Sequence, residues 1–240
     1  MNGLIIGYGE VGSAHAKILQ SRYVTYAVDT QVDVPERLRP YKDFVPEILH
    51  ICFRYSKDFV ALVHEYSAKY NPKYINVCTT CPPGTTQQLG ALAVHSTTRG
   101  LHPNLVEGLK TIPKHVGGPE SELVAKYFRE AGIKCVTHPN ATTTEVAHLC
   151  NNIAYGVNLM LADDLAQVCR HYGVDYYEAV MRYTQSNNEG FDKLGHRSKC
   201  RMILTPPQQR IGGHCVKQSA QLVPAEVRTP TIDRLANYGA

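Results

Sequence analysis

The feature that most constrains the fold is a glycine-rich turn near the start of the chain. The segment Gly7-Tyr8-Gly9-Glu10-Val11-Gly12 follows an apolar run at residues 3–6 of β-strand character and precedes a run at residues 13–20 of helical character. A second β-prone run, at residues 23–28, ends on Asp29. The order strand, glycine turn, helix and strand is that of a βαβ unit. A chain that begins in this way predicts a parallel sheet covered by helices.

The spacing of the three glycines suits the binding of a dinucleotide. Gly7 permits a tight turn out of the strand, Gly9 lets the backbone approach a pyrophosphate, and Gly12 lets the helix pack closely on the sheet. The helix N-terminus offers N–H groups to the phosphates. Asp29 lies where a carboxylate accepts the ribose hydroxyls and repels a 2′-phosphate, which favours NAD over NADP. The alternative is a glycine turn that binds no nucleotide, with Asp29 as a solvated strand end. We therefore predict a cofactor site that includes Gly7, Tyr8, Gly9, Glu10, Val11, Gly12 and Asp29.

Alternating strands and helices continue up to about residue 140. Short β-prone runs recur at residues 48–53, 74–78 and 133–136, and helix-like segments are found at residues 58–70, 86–95 and 121–131. This alternation is typical of an α/β protein with a Rossmann-type, doubly wound parallel sheet. We therefore predict an NAD-binding domain over residues 1–140.

A different pattern begins after residue 140. Thr142 and Glu145 have the spacing of a helix capping box, and apolar residues then recur at helical spacing until Gly173. This predicts one helix over residues 142–171, about 45 Å long, followed by a helix at residues 175–183 and a loop over residues 186–213. Residues 141–240 are thus expected to form a small, mainly α domain. Because a symmetric copy buries a continuous apolar stripe well, the long helix also predicts a homodimer.

Composition excludes several classes of protein. The net charge of +4 is spread along the chain, so no nucleic-acid partner is expected. The apolar runs are too short to cross a membrane and no leader follows Met1, so we expect a soluble, cytoplasmic protein. The eight cysteines include one Cys-x-x-Cys pair, Cys78 and Cys81, without a second pair at metal-site spacing. We therefore predict neither a metal site nor a disulfide framework.

Three further residues are candidates for catalysis. Cys215 follows Gly212, Gly213 and His214, and a thiolate in such a loop could attack a carbonyl carbon. The alternative is a buried, inert thiol. His148 and Asn152 lie one helical turn apart, where a histidine could move protons and an asparagine could donate to an oxyanion. The alternative is that this polar face only meets solvent.

The chain resembles the UDP-glucose/GDP-mannose dehydrogenases over nearly its whole length. The matching segments are residues 7–12, Thr79 to Thr85, Glu145 to Leu165, and Gly212 to Cys215. The resemblance implies oxidation of a primary alcohol of a nucleotide sugar to an aldehyde, a thiohemiacetal and then a thioester on a cysteine, and hydrolysis to the acid, with two NAD consumed. The roles that it implies are Cys215 as nucleophile, Asn152 as oxyanion donor, Thr80 beside the nicotinamide or the catalytic water, and Glu107 as acid/base.

The chain also departs from this family. His148 stands where the family has a catalytic lysine, and Ser219 stands where it has an aspartate. Because the sequence ends at Ala240, we expect a truncated member without the C-terminal nucleotide-sugar-binding domain. Two alternatives therefore stay open. One is a two-electron NAD-dependent dehydrogenase of the hydroxyacid or prephenate type, which the segment Leu101-His102-Pro103-Asn104 weakly favours. The other is a non-catalytic NAD-binding module.

Overall fold

The computed structural model describes residues 1–207, 211 and 214–239 of the chain. The chain divides into two compact units, Met1–His148 and Leu149–Ala240. The sequence placed the domain boundary at residue 140, where the long helix begins.

The first unit is built on a seven-stranded sheet. Its strands are β1 (Gly3–Ile6), β2 (Thr25–Val28), β3 (Ile48–Ile51), β4 (Tyr74–Val77), β5 (Ala93–His95), β6 (Lys114–Gly117) and β7 (Cys135–His138). The strand order is β2-β1-β3-β4-β5-β6-β7. Within residues 1–148, neighbouring strands are parallel except for β5 and β6, which are antiparallel. The prediction of a doubly wound, mainly parallel sheet is therefore confirmed.

Helices cover both faces of this sheet. They are α1 (Glu10–Leu19), α2 (Phe59–Tyr70), α3 (Leu105–Thr111) and α4 (Ser121–Glu130). The apolar sides of α1, α3 and α4 pack into one core with Ile48 and Tyr74, whereas α2 packs into a second core with Leu4 and Leu49. Strands β1, β3 and β4 are buried along their whole length. Continuous burial explains why these strands are apolar at nearly every position instead of alternating.

The sheet order determines where a ligand can bind. Strand β1 lies between β2 on one side and β3 on the other. The chain therefore adds β2 on one side of β1 and the later strands on the other side. In doubly wound sheets, ligands bind outside the carboxyl ends of the strands at such a switch point. Gly7, the first glycine of the turn, follows the carboxyl end of β1 directly.

The helix predicted over residues 86–95 is wrong. The structure has a single 3₁₀ turn at Thr86–Leu89, and then strand β5. Gly90 ends the turn with a φ of 107°, which side-chain-bearing residues rarely adopt. Residues 93–95 are fully buried and pair with β4. Sheet pairing at a buried position therefore outweighs the helical preference of this segment.

Helix α5 (Ala141–His171) confirms the predicted long helix, but its start differs from the prediction. Thr142 and Glu145 do not form a capping box. The side-chain Oδ1 of Asn140 accepts a hydrogen bond from the Thr142 N–H at 2.9 Å. Glu145 is buried and binds a loop that lies far away in the sequence. Asn140 therefore caps the helix in place of Thr142.

The second unit is helical in the residues that the structure describes. A π-helical turn at Tyr177–Arg182 leads directly into α6 (Tyr183–Lys193), and α7 (His214–Gln221) and α8 (Pro230–Ala236) follow. Residues 186–193, predicted as part of a loop, are therefore helical. Asn188 on this helix bonds both the N–H and the C=O of Arg201 at 2.8 Å, so a tertiary contact stabilises the helix despite its polar sequence. Across residues 1–207 and 214–239, no helix is both long and apolar enough to span a membrane.

Candidate functional site

The glycine turn in the first unit has the shape that a dinucleotide phosphate requires. Gly7 has a φ of 95°, and a Cβ on it would lie 2.8 Å from the backbone nitrogen of Phe53. A Cβ on Gly12 would lie 1.9 Å from the carbonyl oxygen of Gly7. A Cβ on Gly9 would instead point into open space, with no heavy atom within 4 Å. Two glycines are thus required by packing, and the third keeps a space open beside the N-terminus of α1, where an anion is stabilised.

Asp29 is fixed against this turn. It follows the last residue of β2, and its Oδ2 accepts the N–H of Tyr8 at 2.6 Å. Its Oδ1 accepts the N–H groups of Gln31 and Val32 at 2.7 and 2.9 Å. Burial alone would raise the pKa of Asp29, but these N–H groups outweigh burial and hold the pKa below its usual value. An ionised carboxylate therefore stands beside the turn, where a ribose would bind.

The remaining residues of the turn support its shape. Tyr8 packs against a core cluster that contains Ile5 and Ala27, and Val11 packs into the core between α1 and the sheet. Glu10 is exposed at the start of α1, and its carboxylate contacts Nδ1 of His102. The predicted cofactor residues thus lie together at the carboxyl end of β1, and their shape fits a bound dinucleotide.

Thr80 and His148 meet in the first unit, although 68 residues separate them in the sequence. Thr80 Oγ1 lies 2.9 Å from His148 Nε2. Burial, followed by the charges of Arg99 and Lys114, lowers the pKa of His148 to about 4. The imidazole is therefore neutral at pH 7. A neutral ring can exchange a hydrogen bond with the Thr80 hydroxyl but adds no positive charge to the site.

Glu145 positions the loop that contains Thr80. Its Oε1 accepts the N–H and the hydroxyl of Thr86 at 2.8 and 2.7 Å, and its Oε2 accepts the N–H of Gly84 at 2.6 Å. The thiol of Cys81 donates to the same carboxylate at 3.7 Å. From its sequence spacing, Glu145 was predicted to form a capping box with Thr142, and this role was missed. Its position beside the buried stripe of α5 was the available signal, because a carboxylate is seldom buried without partners.

His95 supports the same loop from the other side. Its Nε2 lies 3.3 Å from the carbonyl oxygen of Thr79, and its Nδ1 lies 2.8 Å from Thr144 Oγ1. The hydroxyl of Thr79 donates to the carbonyl of Phe53 at 2.7 Å. Burial and the neighbouring His148 lower the pKa of His95 to about 3. Thr80 therefore contacts one neutral histidine, His148, and follows Thr79, whose carbonyl lies beside a second, His95.

These two histidines predict that the protein loses stability on mild acidification. Their pKa values in the folded state, about 3 and about 4, lie below the value of 6.5 for the unfolded chain. The unfolded state then binds more protons, so the free energy of unfolding falls as the pH decreases below 6.5. From pH 7 to pH 5, before carboxylates titrate, we expect a loss of about 2 kcal/mol for each histidine. Urea unfolding at pH 7 and at pH 5 measures this loss of unfolding free energy.

The variant His148→Gln serves as the control for this prediction. Glutamine keeps a polar partner for Thr80 but does not titrate, so about half of the pH dependence should disappear. An unfolding free energy that is equal at pH 7 and pH 5 in the wild-type chain would contradict the assignment of two buried, neutral histidines.

In the second unit, Cys215 is the second residue of α7 and is exposed. Ser219, which is fully buried, donates its hydroxyl to the carbonyl of Cys215 at 2.7 Å. Asn152 on α5 donates its side-chain amide to the Ser219 hydroxyl at 3.0 Å. Asn152 and Ser219 thus tie α5 to the first turn of α7. The segment Gly212-Gly213, which led the sequence analysis to Cys215, lies outside the described residues.

The candidate residues therefore form two groups, one in each unit. Thr80 and His148 are in contact in the first unit, and Asn152 and Cys215 are linked through Ser219 in the second. Glu107 lies on the exposed side of α3 and takes part in none of these hydrogen bonds. Its predicted acid/base role stays a prediction.

Comparisons with known proteins confirm the resemblance that the sequence suggested. No family model matches the chain. A UDP-N-acetyl-D-mannosamine dehydrogenase from Pyrococcus horikoshii is 25% identical over 162 residues, a match that covers 60% of this chain and 36% of that protein. The match thus spans about a third of that relative's length.

Solved structures show the same fold. A UDP-N-acetylmannosamine dehydrogenase structure from Pyrococcus horikoshii has a TM-score of 0.77 at 20% identity, covering 98% of this chain and 69% of that one. A 3-hydroxyisobutyrate dehydrogenase from Mycobacterium tuberculosis has a TM-score of 0.66 at 13% identity, covering 98% of this chain and 91% of that one. At these identities, the two structures show that the Rossmann-type fold is shared.

Proposed function

We propose that this chain is an NAD-dependent oxidoreductase that oxidises a primary alcohol of a nucleotide sugar, with Cys215 as covalent nucleophile. The observation that carries the proposal is the glycine turn, with its open space at Gly9 and the ionised Asp29 beside it. The sequence similarity to a UDP-N-acetyl-D-mannosamine dehydrogenase supports the substrate class.

Asp29 is the reason for proposing NAD in place of NADP. A 2′-phosphate would bring about two negative charges against a carboxylate whose pKa is already lowered by four backbone N–H groups. When bound, NAD would supply the hydride acceptor for each oxidation step. The chain's own contribution is to hold the pyrophosphate at the N-terminus of α1 and the ribose hydroxyls at Asp29.

In the first unit, Thr80 and His148 form a hydrogen-bonded pair that can take up the proton of the substrate alcohol. His148 is neutral at pH 7 because burial and two nearby cations lower its pKa. Negative charge that develops on a substrate oxygen would raise that pKa, since an opposite charge favours the imidazolium. His148 can then accept the proton through the Thr80 hydroxyl, 2.9 Å from Nε2, as the oxygen loses it.

Cys215 provides covalent chemistry in the second unit. Its sulfur adds to the aldehyde carbon produced by the first oxidation and forms a thiohemiacetal. A second oxidation gives a thioester, and water hydrolyses it to the acid and restores the thiol. The position of Cys215 in the first turn of α7 favours the thiolate, because N–H groups at a helix start stabilise an anion. Asn152 is proposed to donate to the oxyanion that forms when sulfur adds to the carbonyl.

A two-electron dehydrogenase is the second candidate. The structural likeness to a 3-hydroxyisobutyrate dehydrogenase, with a TM-score of 0.66 at 13% identity, motivates this candidate. His148 and Ser219 also replace a lysine and an aspartate of the nucleotide-sugar family. Such an enzyme would need the dinucleotide site but would not need the thiol of Cys215.

Helix α5 predicts that the protein forms a homodimer. Three apolar side chains within about 60° of one another around this helix, Val146, Leu161 and Val168, are between 41 and 53% exposed. A symmetric copy would remove them from water, and each buried Å² of apolar surface stabilises by about 25 cal/mol. Light scattering on the purified chain should give twice the monomer mass, and a monomer at micromolar concentration would contradict the prediction. We also propose a cytoplasmic location, where cysteine thiols stay reduced.

Incubation with NAD and candidate substrates tests the proposed activity. The panel contains UDP- and GDP-sugars and simple 3-hydroxyacids, and the absorbance of the reduced dinucleotide measures turnover. The proposal predicts turnover with a nucleotide sugar and with NAD in preference to NADP. Turnover with hydroxyacids alone would favour the second candidate. Tight NAD binding without turnover on any alcohol would indicate a non-catalytic binding module and overturn the proposal.

A further inference from the structure

The core of the first unit contains a group of metal-ligating side chains that the dinucleotide site does not use. His15 on α1, Cys52 after β3 and Cys78 after β4 bring their ligating atoms to within 4.8 Å of one another. Strands β3 and β4 are paired with Ile51 opposite Val77, so the next residues, Cys52 and Cys78, lie side by side. We call these three residues the His-Cys-Cys cluster.

The hydrogen bonds of His15 turn one nitrogen of its ring towards the sulfurs. His15 is fully buried, and its Nδ1 lies 2.9 Å from the carbonyl oxygen of Val11, a group that can only accept a hydrogen bond. The proton is therefore on Nδ1, and the lone pair of Nε2 points at Cys78 Sγ, 3.9 Å away. A backbone carbonyl that accepts from one ring nitrogen fixes the other as a metal ligand in many zinc sites.

The sulfur of Cys78 also accepts a hydrogen bond from a residue outside the cluster. The side-chain amide of Asn76, which is fully buried, donates to Cys78 Sγ at 3.1 Å. The Oδ1 of Asn76 in turn accepts the hydroxyl of Ser96 at 2.6 Å, so the amide cannot rotate away without losing this bond. An N–H donor held on a cysteine sulfur stabilises the thiolate form that a metal requires.

The distances between the ligating atoms of the cluster suit a tetrahedrally coordinated ion. Zinc bonds of about 2.3 Å to sulfur and about 2.0 Å to nitrogen place neighbouring ligand atoms about 3.5 to 3.8 Å apart. The distance of 3.9 Å between Cys78 Sγ and His15 Nε2 is close to this range. The widest separation in the cluster, at most 4.8 Å, must shorten by about 1 Å, which a small rotation of a cysteine side chain supplies.

The charges of the ligands and of a divalent metal ion balance when the ion binds. Two cysteine thiols lose their protons to solvent, and their two negative charges neutralise a divalent ion, while the histidine stays neutral. Lys114, a buried cation that interacts electrostatically with Cys78, donates to the carbonyl oxygens of Ser96 and Thr97 at 2.6 and 3.2 Å, so its charge is shared with these carbonyls. Soft thiolate ligands with one imidazole favour zinc over magnesium or calcium, which prefer oxygen.

We propose that His15, Cys52 and Cys78 bind a zinc ion that joins α1, β3 and β4 beneath the glycine turn, with water as the fourth ligand. The cluster lies next to the turn, since a Cβ on Gly7 would meet the carbonyl carbon of Cys52 at 2.9 Å. Such an ion connects the helix that starts at the glycine turn to two strands of the sheet. No metal was predicted from the sequence, because these ligands come from three separate segments without a recognisable spacing.

Cobalt binding to the full-length chain tests this proposal without an activity assay. The chain is purified under reducing conditions, stripped with a chelator and titrated with Co²⁺, whose thiolate charge-transfer and visible bands report sulfur ligands and tetrahedral geometry. We expect one Co²⁺ per chain, displaced by Zn²⁺. Cys52→Ser and Cys78→Ser should each reduce the affinity by more than the 10–100-fold typical of losing an outer-shell partner. Cys200→Ser, which removes a half-buried thiol of the second unit, should leave the spectrum unchanged.

Alkylation of thiols gives an independent result if the cysteine variants fail to fold. In the wild-type chain, Zn²⁺ should protect the half-buried Cys52 from iodoacetamide and leave the labelling of the exposed Cys150 unchanged. The absence of thiolate bands at saturating Co²⁺, or equal labelling with and without Zn²⁺, would overturn the proposal. A Cys52–Cys78 disulfide that persists in the reduced preparation, detected by intact mass, would overturn it as well.

Discussion

Replacing Cys215 by serine is expected to abolish formation of the acid while leaving NAD binding intact. Serine has nearly the same size, so α7 and the hydrogen bond from Ser219 to the residue 215 carbonyl should persist. A serine hydroxyl does not ionise near neutral pH and adds far less readily to an aldehyde than a thiolate does. We expect the rate of acid formation to fall by at least about 10³-fold, equivalent to about 4 kcal/mol of activation free energy.

Cys150→Ser is the matched control, because Cys150 is also exposed. This variant should retain the wild-type rate. Products are separated by chromatography, since an aldehyde that accumulates in Cys215→Ser would show that the first oxidation survives. Acid formation by Cys215→Ser at the wild-type rate would exclude covalent catalysis by this residue and would favour simple hydride transfer.

Substitutions in the glycine turn should separate loss of binding from loss of folding. A side chain at Gly9 enters open space in this structure, so Gly9→Ser should fold normally, and serine is also a good residue at a helix N-cap. The same side chain occupies the space where the pyrophosphate must approach the backbone. We expect the Kd for NAD to rise on the order of 100-fold, or about 2.7 kcal/mol, with an unchanged Tm.

Gly12→Ala should behave differently from Gly9→Ser. Its Cβ would lie 1.9 Å from the Gly7 carbonyl, so α1 must move away from the turn. Overpacking of this kind costs about 1–3 kcal/mol or more, and both the Tm and NAD binding should decrease. Gly190→Ala on α6, where a Cβ meets no atom within 4 Å, serves as the neutral control. Calorimetric titration and thermal unfolding measure the two effects, and wild-type NAD affinity in Gly9→Ser would place the pyrophosphate elsewhere.

The start of the fold could be predicted from sequence because several local signals agree there. The strand of residues 3–6, the glycine turn and Asp29 all indicate the same βαβ unit, and the structure has β1, α1 and β2 in that order. The long helix α5 was predictable for a similar reason, since its apolar spacing extends over about six turns.

Strands β5 and β6 were not predictable from local signals. Strand β5 is three residues long, and β6 begins with Lys114 and His115, which are poor indicators of a buried strand. Lys114 is nevertheless 3% exposed, because the carbonyls of Ser96 and Thr97 accept its ammonium protons. These partners come from a different part of the chain, and so the burial of Lys114 follows from tertiary structure alone.

The residues of the candidate site were selected one by one from the sequence, but the contacts between them were not predictable. Thr80 and His148 were each selected from the sequence, yet their hydrogen bond depends on how α5 packs against the loop after β4. Glu145 shows the limit most clearly. Its spacing from Thr142 matches a capping box, whereas its carboxylate binds Gly84 and Thr86, about sixty residues away in the sequence.

The stoichiometry of oxidation tests the central claim most directly. The purified chain is supplied with NAD in excess and a limiting amount of the nucleotide sugar that supports turnover, and the reduced dinucleotide is counted against the substrate consumed. Covalent catalysis at Cys215 predicts two NADH and one carboxylic acid for each substrate molecule. One NADH with an aldehyde or ketone product would contradict it and would indicate simple hydride transfer.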